Sequence, residues 1–230
     1  MAGTTTRWEQ ARAQERAAGR GGYGAHFAQL IDEGADIEGE ARLADVLAPR
    51  GGRILDAGSG MGRVGGALVG RGHQVVGVDF DLEILDQSRR TYPALPLVES
   101  RLDELTPQTL AAAGHSTTYD VVVCVGNVMI LLAPETEPAV LANLAAVLAP
   151  EGRMLVGYAL TDAPAATSRE YPLDEFAADC AAAGLAVESR FAGYDLRPFT
   201  DESAFAVHVL RHAPPGGLIA AERADQPPGW

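Results

Sequence analysis

The residue pattern with the clearest chemical meaning is a set of glycines at alternate positions. Gly58, Gly60 and Gly62 occur in RILDAGSGMGRVGGAL, shortly after an apolar run that leads into the carboxylate Asp56. Such a turn after a strand lets the backbone approach a nucleotide-like ligand, because no Cβ stands in the way. A second carboxylate, Asp79, ends the next apolar run about twenty residues further on, where an acid can accept hydrogen bonds from ribose hydroxyls. The spacing therefore predicts a nucleotide-type site.

Two classes of ligand fit this pattern. Gly60, Gly62 and Gly65 satisfy the G-x-G-x-x-G dinucleotide fingerprint, which would make the protein an NAD-dependent oxidoreductase. Asp56 favours a different ligand, because a carboxylate before the turn repels a pyrophosphate but can hold the loop or bind an ammonium group. Phe80, directly after the ribose acid, is a flat apolar side chain that can lie on an adenine ring. A ligand other than NAD is therefore favoured, with NAD as the alternative.

The elements that must position these residues are short apolar runs separated by amphipathic stretches. RILDA, QVVGVD, LPLVE, YDVVVCVG and RMLVGYAL alternate with segments such as DLEILDQSRR and PAVLANLAAVLAP. Strands that are apolar on both faces and are separated by helices predict a parallel sheet covered on both sides. Two later runs, LAVESRFAGYDL and SAFAVHVLRH, predict an antiparallel hairpin at the end of the sheet. The fold class is therefore a doubly wound α/β fold preceded by N-terminal helices.

The quoted motifs, in this order, together with YDVVVCVGNVM and LAAVLAPEGRMLVGY, resemble the class I S-adenosylmethionine-dependent methyltransferases over roughly residues 38–212. The resemblance implies a seven-stranded Rossmann-like sheet with one antiparallel strand. It also implies S-adenosyl-L-methionine as cofactor and S-adenosyl-L-homocysteine as product. We expect an N-terminal helical lid over 1–50, the cofactor-binding domain over 51–212, and a Pro/Gly-rich tail over 213–230. A binding protein that has lost catalysis is the non-enzymatic alternative.

The resemblance also implies which residues bind the cofactor. Gly58, Ser59 and Gly60 would pack against its methionine part, and Asp56 would order the loop or reach the amino group. Asp79 would accept hydrogen bonds from both ribose hydroxyls. The remaining expected contacts are Phe80 and Leu102 at the adenine, Arg101 beside them, and Val125 and Gly126 at the reactive end.

Arg101 departs from the family's pattern. Many relatives carry an Asp after the third strand that accepts a hydrogen bond from the adenine amino group, whereas VESRLDEL places Arg101 there. A guanidinium has no acceptor. The adenine amino group must therefore bond elsewhere, or Arg101 must stack on the ring.

The N-terminal helices are expected to close over the cofactor. Tyr23 and Arg42 are the candidate contacts, Arg42 for the methionine carboxylate, since a guanidinium can grip a carboxylate at two points. Alternatively, Tyr23 and Trp8 anchor the helices to the body. Arg42 could instead pair with Glu38, four positions earlier.

Four residues are candidates for the substrate side. Asn127 and Tyr158 stand at the carboxyl ends of predicted strands, where parallel sheets bind ligands. Tyr194 and Arg197 lie in GYDLRPF, in which Arg197 and Asp195 either face the substrate or brace the hairpin. No catalytic base is identified, because His208 in AFAVHVLRH reads as a packed residue. Methyl transfer is accordingly expected to rely on positioning of a nitrogen or oxygen nucleophile.

Composition limits the partners. The net charge is −13 and the sequence contains no lysine, which disfavours nucleic acid and anionic membranes, since both are bound largely through basic residues. CVGNVM also lacks the Asn/Asp-Pro-Pro-aromatic pattern of base-methylating enzymes. Cys124 and Cys180 suggest no disulfide framework or metal site. We therefore expect a cytoplasmic monomer or homodimer that acts on a small molecule.

Overall fold

A computed structural model describes residues 4–19, 30 and 33–214 of the chain. The helices in these ranges are α1 (Arg7–Ala17), α2 (Gly39–Leu47), α3 (Arg63–Gly70), α4 (Leu82–Thr91), α5 (Pro107–Ala112), α6 (Val128–Leu131), α7 (Glu137–Val147) and α8 (Leu173–Ala182). The strands are β1 (Arg53–Ala57), β2 (Gln74–Asp79), β3 (Leu97–Glu99), β4 (Tyr119–Cys124), β5 (Leu148–Ala159), β6 (Leu185–Phe191) and β7 (Phe205–His212). Within the described ranges, no helix combines the length and the apolar character needed to cross a membrane.

The strands form one seven-stranded sheet in the order β3-β2-β1-β4-β5-β7-β6. Neighbours from β3 to β5 run parallel, and β7 runs antiparallel to both β5 and β6. The predicted doubly wound sheet with one antiparallel strand is thereby confirmed. Because β7 is reversed, its amino end lies at the same edge of the sheet as the carboxyl ends of the parallel strands.

Alternate residues of the central strands enter two separate cores, one on each face of the sheet. On β1, Ile54 packs with α2 and α3, while Leu55 packs with the helices of the opposite face, α7 and α8 among them. Both residues are fully buried. Burial on both faces explains why the parallel strands read as continuous apolar runs instead of alternating ones. The helices on either face also fix where each loop leaves the carboxyl edge of the sheet.

The glycine turn joins β1 to α3 and requires glycine for two reasons. Gly58, Gly60 and Gly62 have φ angles of 77°, 53° and 82°, in the left-handed region that side chains disfavour. A Cβ on Gly58 would also lie 2.5 Å from the Cγ2 atom of Val128, at the start of α6. The turn therefore presents bare backbone at the carboxyl edge of the sheet, as its sequence predicts.

Candidate functional site

A cavity of about 370 Å³ opens at the carboxyl ends of the parallel strands. Its walls come from the glycine turn, the residues that follow β2, β3 and β4, the start of β7, and α1 above them. This is where open parallel sheets bind their ligands. The order of the strands divides the cavity into two halves of different chemistry.

The first half lies beside β3, β2 and β1 and contains every charged side chain that the structure places in the cavity wall. We call it the charged half and define it by these six residues: Glu15, Glu40, Arg63, Asp79, Arg101 and Asp103. Four carboxylates and two guanidiniums give it a net negative charge, which suits a ligand that carries a cation.

Asp79 is the most tightly held carboxylate of the charged half. Its Oδ2 atom accepts the N–H of Gly60 at 2.9 Å, and its Oδ1 atom accepts the N–H groups of Phe80 and Asp81 at 2.8 and 3.0 Å. Burial nevertheless raises its pKa, although the three N–H groups act in the opposite direction. The side chain therefore connects the glycine turn to the end of β2 and faces the cavity from a fixed position.

Asp56 lies outside the cavity wall and supports the turn from below. Its Oδ2 atom accepts the N–H of Gly65 in α3 at 2.8 Å, and the side chain is almost completely buried. Of the two roles predicted for Asp56, this contact corresponds to ordering the loop. Burial raises the pKa of Asp56 to about 7. Ser59 is also absent from the cavity wall, because it is buried against Gly77 of β2.

Arg101 is anchored within the charged half by a two-point contact with Asp103. Its Nε and Nη2 atoms donate to the two carboxylate oxygens of Asp103 at 3.0 and 2.9 Å. Its guanidinium carbon lies 5.8 Å from the ring centroid of Phe80, within range of a cation–π contact. The structure therefore brings Phe80, Arg101 and Leu102 together in the cavity wall. Asp103, which sequence reasoning missed, supplies a carboxylate two positions after Arg101, and its signal was the acid in RLDEL.

The arginine that faces the cavity near the glycine turn is Arg63, and sequence reasoning missed it as well. Arg63 donates from Nη1 and Nη2 to the carboxylate of Glu40 at 2.9 and 2.5 Å. Arg42, predicted for this side, lies outside the cavity wall with about half of its side chain exposed, and it pairs with Asp36. The exposed Asp36 carboxylate precedes α2 and takes both Nη atoms of Arg42, so that the side chain turns away from the site. Tyr23 lies outside the described residues.

The second half of the cavity lies beside β4, β5 and β7. We call it the apolar half and define it by Val128, Leu131, Leu132, Ala133, Pro164, Ala165 and Phe205. These residues come from α6 and the loop after it, the loop between β5 and α8, and the first position of β7. None of the residues that the structure describes in this wall is charged.

Asn127 and Tyr194 lie where the two halves meet. Asn127 has a left-handed backbone, with φ of 73°, and its Oδ1 atom accepts the N–H of Ala159 at 2.8 Å. The Tyr194 ring packs against Phe205 with centroids 5.7 Å apart, and its hydroxyl is buried over Gly157. Burial holds the pKa of Tyr194 well above its ordinary value, and Glu40 adds to the effect. The hydroxyl is therefore protonated at neutral pH.

The other two residues predicted for the substrate side lie elsewhere. Tyr158 faces the opposite side of β5 from Tyr194 and is fully buried against Tyr171 and Phe176, with ring centroids 5.5 and 5.4 Å away. For Tyr158, unlike Asn127, the expectation from strand ends does not hold, because neighbouring residues of a strand point to opposite faces and Gly157 is the one that faces Tyr194. Arg197 is exposed and pairs with Asp195 at 2.8 Å, which corresponds to the hairpin brace.

Helix α1 spans the cavity from one half to the other. At its amino end, Arg7 pairs with the buried carboxylate of Glu137 at 3.0 Å, and Arg169 binds the same oxygen at 3.0 Å. Towards its carboxyl end, Arg12 pairs with Glu83 of α4 at 3.3 Å. Trp8, between these ends, lines the cavity and donates to Asp81 Oδ2 at 2.9 Å. Ion pairs thus hold α1 to both sides of the site.

Comparison with known proteins finds a matching family profile and similar solved structures. The profile of a family described as "Methyltransferase domain" matches residues 54–152. A TehB-like SAM-dependent methyltransferase from Corynebacterium glutamicum is 34% identical and superposes with a TM-score of 0.73, over 83% of this chain and 96% of that one.

Two further solved structures share the fold at lower identity. The CcbJ methyltransferase from Streptomyces caelestis is 21% identical, with a TM-score of 0.65 over 76% of this chain and 90% of that one. A S-adenosylmethionine-dependent methyltransferase from Clostridium acetobutylicum is 10% identical, with a TM-score of 0.67 over 83% and 98%. Among curated proteins, no sequence matches this chain significantly.

Proposed function

The chain belongs to the S-adenosylmethionine-dependent methyltransferases, and we propose that its acceptor is a small molecule methylated at nitrogen or oxygen. The observation that carries the acceptor class is the partly open cavity, which α1 partly covers and whose walls change from charged to apolar. A covered cavity of this kind admits a small molecule far more readily than a polymer. As a family member, the protein uses S-adenosyl-L-methionine and yields S-adenosyl-L-homocysteine.

The charged half fits the cofactor's parts. Gly58 and Gly60 line the cavity without side chains, which allows the cofactor to approach their backbone closely. A side chain at Gly58 is also excluded by Val128, with which a Cβ would collide. The fixed carboxylate of Asp79 would accept hydrogen bonds from the ribose hydroxyls. Phe80, with Leu102 and Arg101 beside it, would flank the adenine. When bound, the cofactor supplies a methyl group made electrophilic by its sulfonium.

The Arg63–Glu40 ion pair would hold the amino-acid end of the cofactor. A zwitterion can insert into an ion pair, because its carboxylate then meets the guanidinium and its ammonium meets the carboxylate. Val125 and Gly126 would contact the same end of the cofactor from β4. Arg42 keeps its predicted role only if its pair with Asp36 opens.

The chain contributes to methyl transfer chiefly through position and exclusion of water. Helix α1 covers the cavity, and the apolar half keeps water from the acceptor. The protonated Tyr194 hydroxyl can donate a hydrogen bond but cannot remove a proton. His208, the buried histidine of β7, lies on the Tyr158 face of the sheet, away from the cavity, with its pKa lowered to about 3 by burial.

The NAD alternative is set aside by the family assignment and by the position of Gly65. This third fingerprint glycine packs against the Asp56 carboxylate, where a Cβ would lie 2.9 Å from Oδ2. The buried carboxylate thus occupies the space behind the turn. Gly60, Gly62 and Gly65 thus belong to a turn that is held by the Asp56 carboxylate, whose charge would repel a pyrophosphate.

The excess of acidic groups also supports the predictions that the protein binds neither nucleic acid nor anionic membranes. With a net charge of −13, the protein would be repelled by nucleic acid and by anionic membranes. Cys124 and Cys180 are buried free thiols, which is compatible with a reducing cytoplasm. A monomer or homodimer stays a prediction.

Calorimetric titration of the full chain with S-adenosylhomocysteine, with NAD as the control ligand, tests the cofactor assignment. We expect saturable binding of the first ligand and none of the second. Methyl transfer is then followed by mass spectrometry with a panel of small amines and phenols. Binding without turnover of any small acceptor would support the catalytically inert alternative, and binding of NAD alone would refute the proposal.

A further inference from the structure

We infer that the methyl acceptor is an uncharged aromatic amine or nitrogen heterocycle that presents a hydrogen-bond acceptor beside its reacting nitrogen. This inference rests on the proposed function and narrows it to one substrate class. Three features of the described cavity wall carry it: the separation of charge between its halves, the lack of a free base at the reacting end, and the donor at Asn127.

The separation of charge excludes a charged acceptor. The six charged side chains of the cavity wall all belong to the charged half, and the described residues of the apolar half carry none. The ionic group that contacts this half, at the carbonyl of Leu132, is Arg7 with Glu137 and Arg169, and its charges are paired with one another. An amino acid, an oxyanion or a protonated amine would lose its hydration there without gaining a counter-charge, which is strongly unfavourable.

Within the described cavity wall, the reacting end holds no free base, which disfavours acceptors that must first lose a proton. Tyr194 is protonated at neutral pH, and Glu40, whose charge reaches Tyr194, is already paired with both Nη atoms of Arg63. Aliphatic amines are protonated near pH 7 and are therefore both charged and unreactive, while alcohols and phenols need a base. A weakly basic aromatic or ring nitrogen arrives neutral with its lone pair available.

The chemical step balances without further reagents. The nitrogen lone pair forms the new bond to the methyl carbon, and the bond from that carbon to sulfur breaks with its electron pair remaining on sulfur. Positive charge thus moves from the sulfonium to the acceptor, so that the total charge is unchanged. An N–H proton of the product passes to bulk water after release.

Asn127 supplies the polar contact that orients the acceptor. Because its Oδ1 atom accepts the N–H of Ala159, its amide group turns its Nδ2 donor to the other side. Within the part of the chain that the structure describes, Nδ2 makes no hydrogen bond, and Asn127 lines the cavity where its halves meet. A neutral acceptor with a ring nitrogen or carbonyl next to its nucleophile satisfies this donor.

Four matched probes test the inference on the full chain: 8-aminoquinoline, 1-naphthylamine, benzylamine and glycine. Binding of each to the protein saturated with S-adenosylhomocysteine is measured by calorimetry, and methylation is measured by mass spectrometry. We expect 8-aminoquinoline to bind at least tenfold more tightly than 1-naphthylamine, which lacks the ring nitrogen, and only these two to be methylated. Methylation of benzylamine or glycine, or no binding of either neutral probe, would overturn the inference.

Two variants assign the effect to the cavity. Leu131→Glu places a carboxylate in the apolar half and should weaken binding of both neutral probes at least tenfold, whereas Leu82→Glu on the exposed start of α4 should not. Asn127→Asp keeps the acceptor for Ala159 but removes the donor, and should abolish the advantage of 8-aminoquinoline. Unchanged probe binding in Leu131→Glu would contradict the inference.

Affinity for S-adenosylhomocysteine is the folding control, and it separates the two proposals. Leu131→Glu and Asn127→Asp should each bind S-adenosylhomocysteine with an affinity within twofold of that of the parent protein. If the parent protein fails to bind it, the cofactor assignment fails. If the parent binds it but methylates charged acceptors, only the substrate class is wrong.

Discussion

The two halves of the cavity differ in how their side chains are held as well as in their charge. In the charged half, Asp79 accepts three backbone N–H groups, Arg101 is fixed by Asp103, and Arg63 by Glu40. The side chains of the apolar half are held by packing, on a short helix, two loops and the first position of β7, while the Leu132 carbonyl accepts a hydrogen bond from Arg7 Nη1 at 3.0 Å. Side chains held in fixed positions suit the cofactor, which has the same structure in every reaction cycle, whereas a packed apolar wall can be reshaped for a different acceptor by few substitutions. We therefore expect mutations in the two halves to affect different ligands.

The largest expected effect is that of Asp79→Ala on cofactor binding. Removal of the carboxylate takes away the acceptor for the ribose hydroxyls and for three backbone N–H groups, so that affinity for S-adenosylhomocysteine should fall about 100-fold, or about 3 kcal/mol. Calorimetry measures the change. Asp86→Ala, on the exposed side of α4, is the control and should bind normally. Equal affinities in the two variants would mean that the charged half is not the cofactor site.

Glu137 binds Arg7 at the start of α1, the helix that runs along both halves of the cavity. Glu137→Ala should therefore loosen the attachment of α1 beside the apolar half. Arg7 and Arg169 would lose their shared partner, and because both are partly exposed we expect the free energy of unfolding to fall by about 2 kcal/mol. Hydrogen exchange should rise in α1 before it rises in the sheet. Glu175→Ala, which removes only an exposed partner of Arg169, should leave α1 protected. Unchanged exchange in α1 would show that other contacts hold this helix.

Asp56 makes the support of the charged half dependent on pH. With its pKa raised from 3.8 to about 7, the folded protein binds more protons than the unfolded chain between these values. The contribution of this group to stability therefore falls as pH rises from about 4 to about 7. Asp56→Asn keeps an acceptor for Gly65 without a charge, so its free energy of unfolding relative to the parent should increase by about 2 kcal/mol from about pH 5.5 to about pH 8. Denaturant unfolding at the two pH values measures this, and a constant difference would contradict the shifted pKa.

The smallest expected effect distinguishes two arginines. Arg63→Gln should lower affinity for S-adenosylhomocysteine about tenfold, or about 1.4 kcal/mol, because one charged contact to the ligand is lost. Arg42→Gln should change it less than twofold, since Arg42 pairs with Asp36 outside the cavity. The reverse order would restore Arg42 to the role that the sequence predicts for it.

How far the sequence predicts the site differs between the halves. The sheet, its antiparallel strand and the glycine turn were predicted from local patterns, because strand period and glycine conformation depend on neighbouring residues. Asp79 and Phe80 could be placed at the carboxyl edge of the sheet for the same reason, since Asp79 ends β2 and Phe80 follows it directly. Asp103 was missed because it acts through Arg101, two residues earlier.

The apolar half was not predictable in the same way. Leu131, Pro164 and Phe205 are far apart in sequence and meet only because β7 is reversed and α6 turns back over the sheet. Nothing in an isolated leucine or proline indicates that it will face a ligand instead of a core. Tyr158 lies near the end of β5 as the sequence predicts, but its side chain points to the face of the sheet opposite the cavity and is buried there.

The reversed strand and the strand order also separate the two halves along the chain. Among the described residues of the cavity wall, every charged one precedes position 104, and every residue of the apolar half follows position 127. Between them lie α5 and the largely exposed residues 111–118. A single recombination point in that segment would combine most of one protein's cofactor site with the apolar half of another, provided that Val125, Gly126 and the partner of Arg7 at position 137 are kept. New acceptors can thus arise in this architecture by recombination, without reinvention of the chemistry.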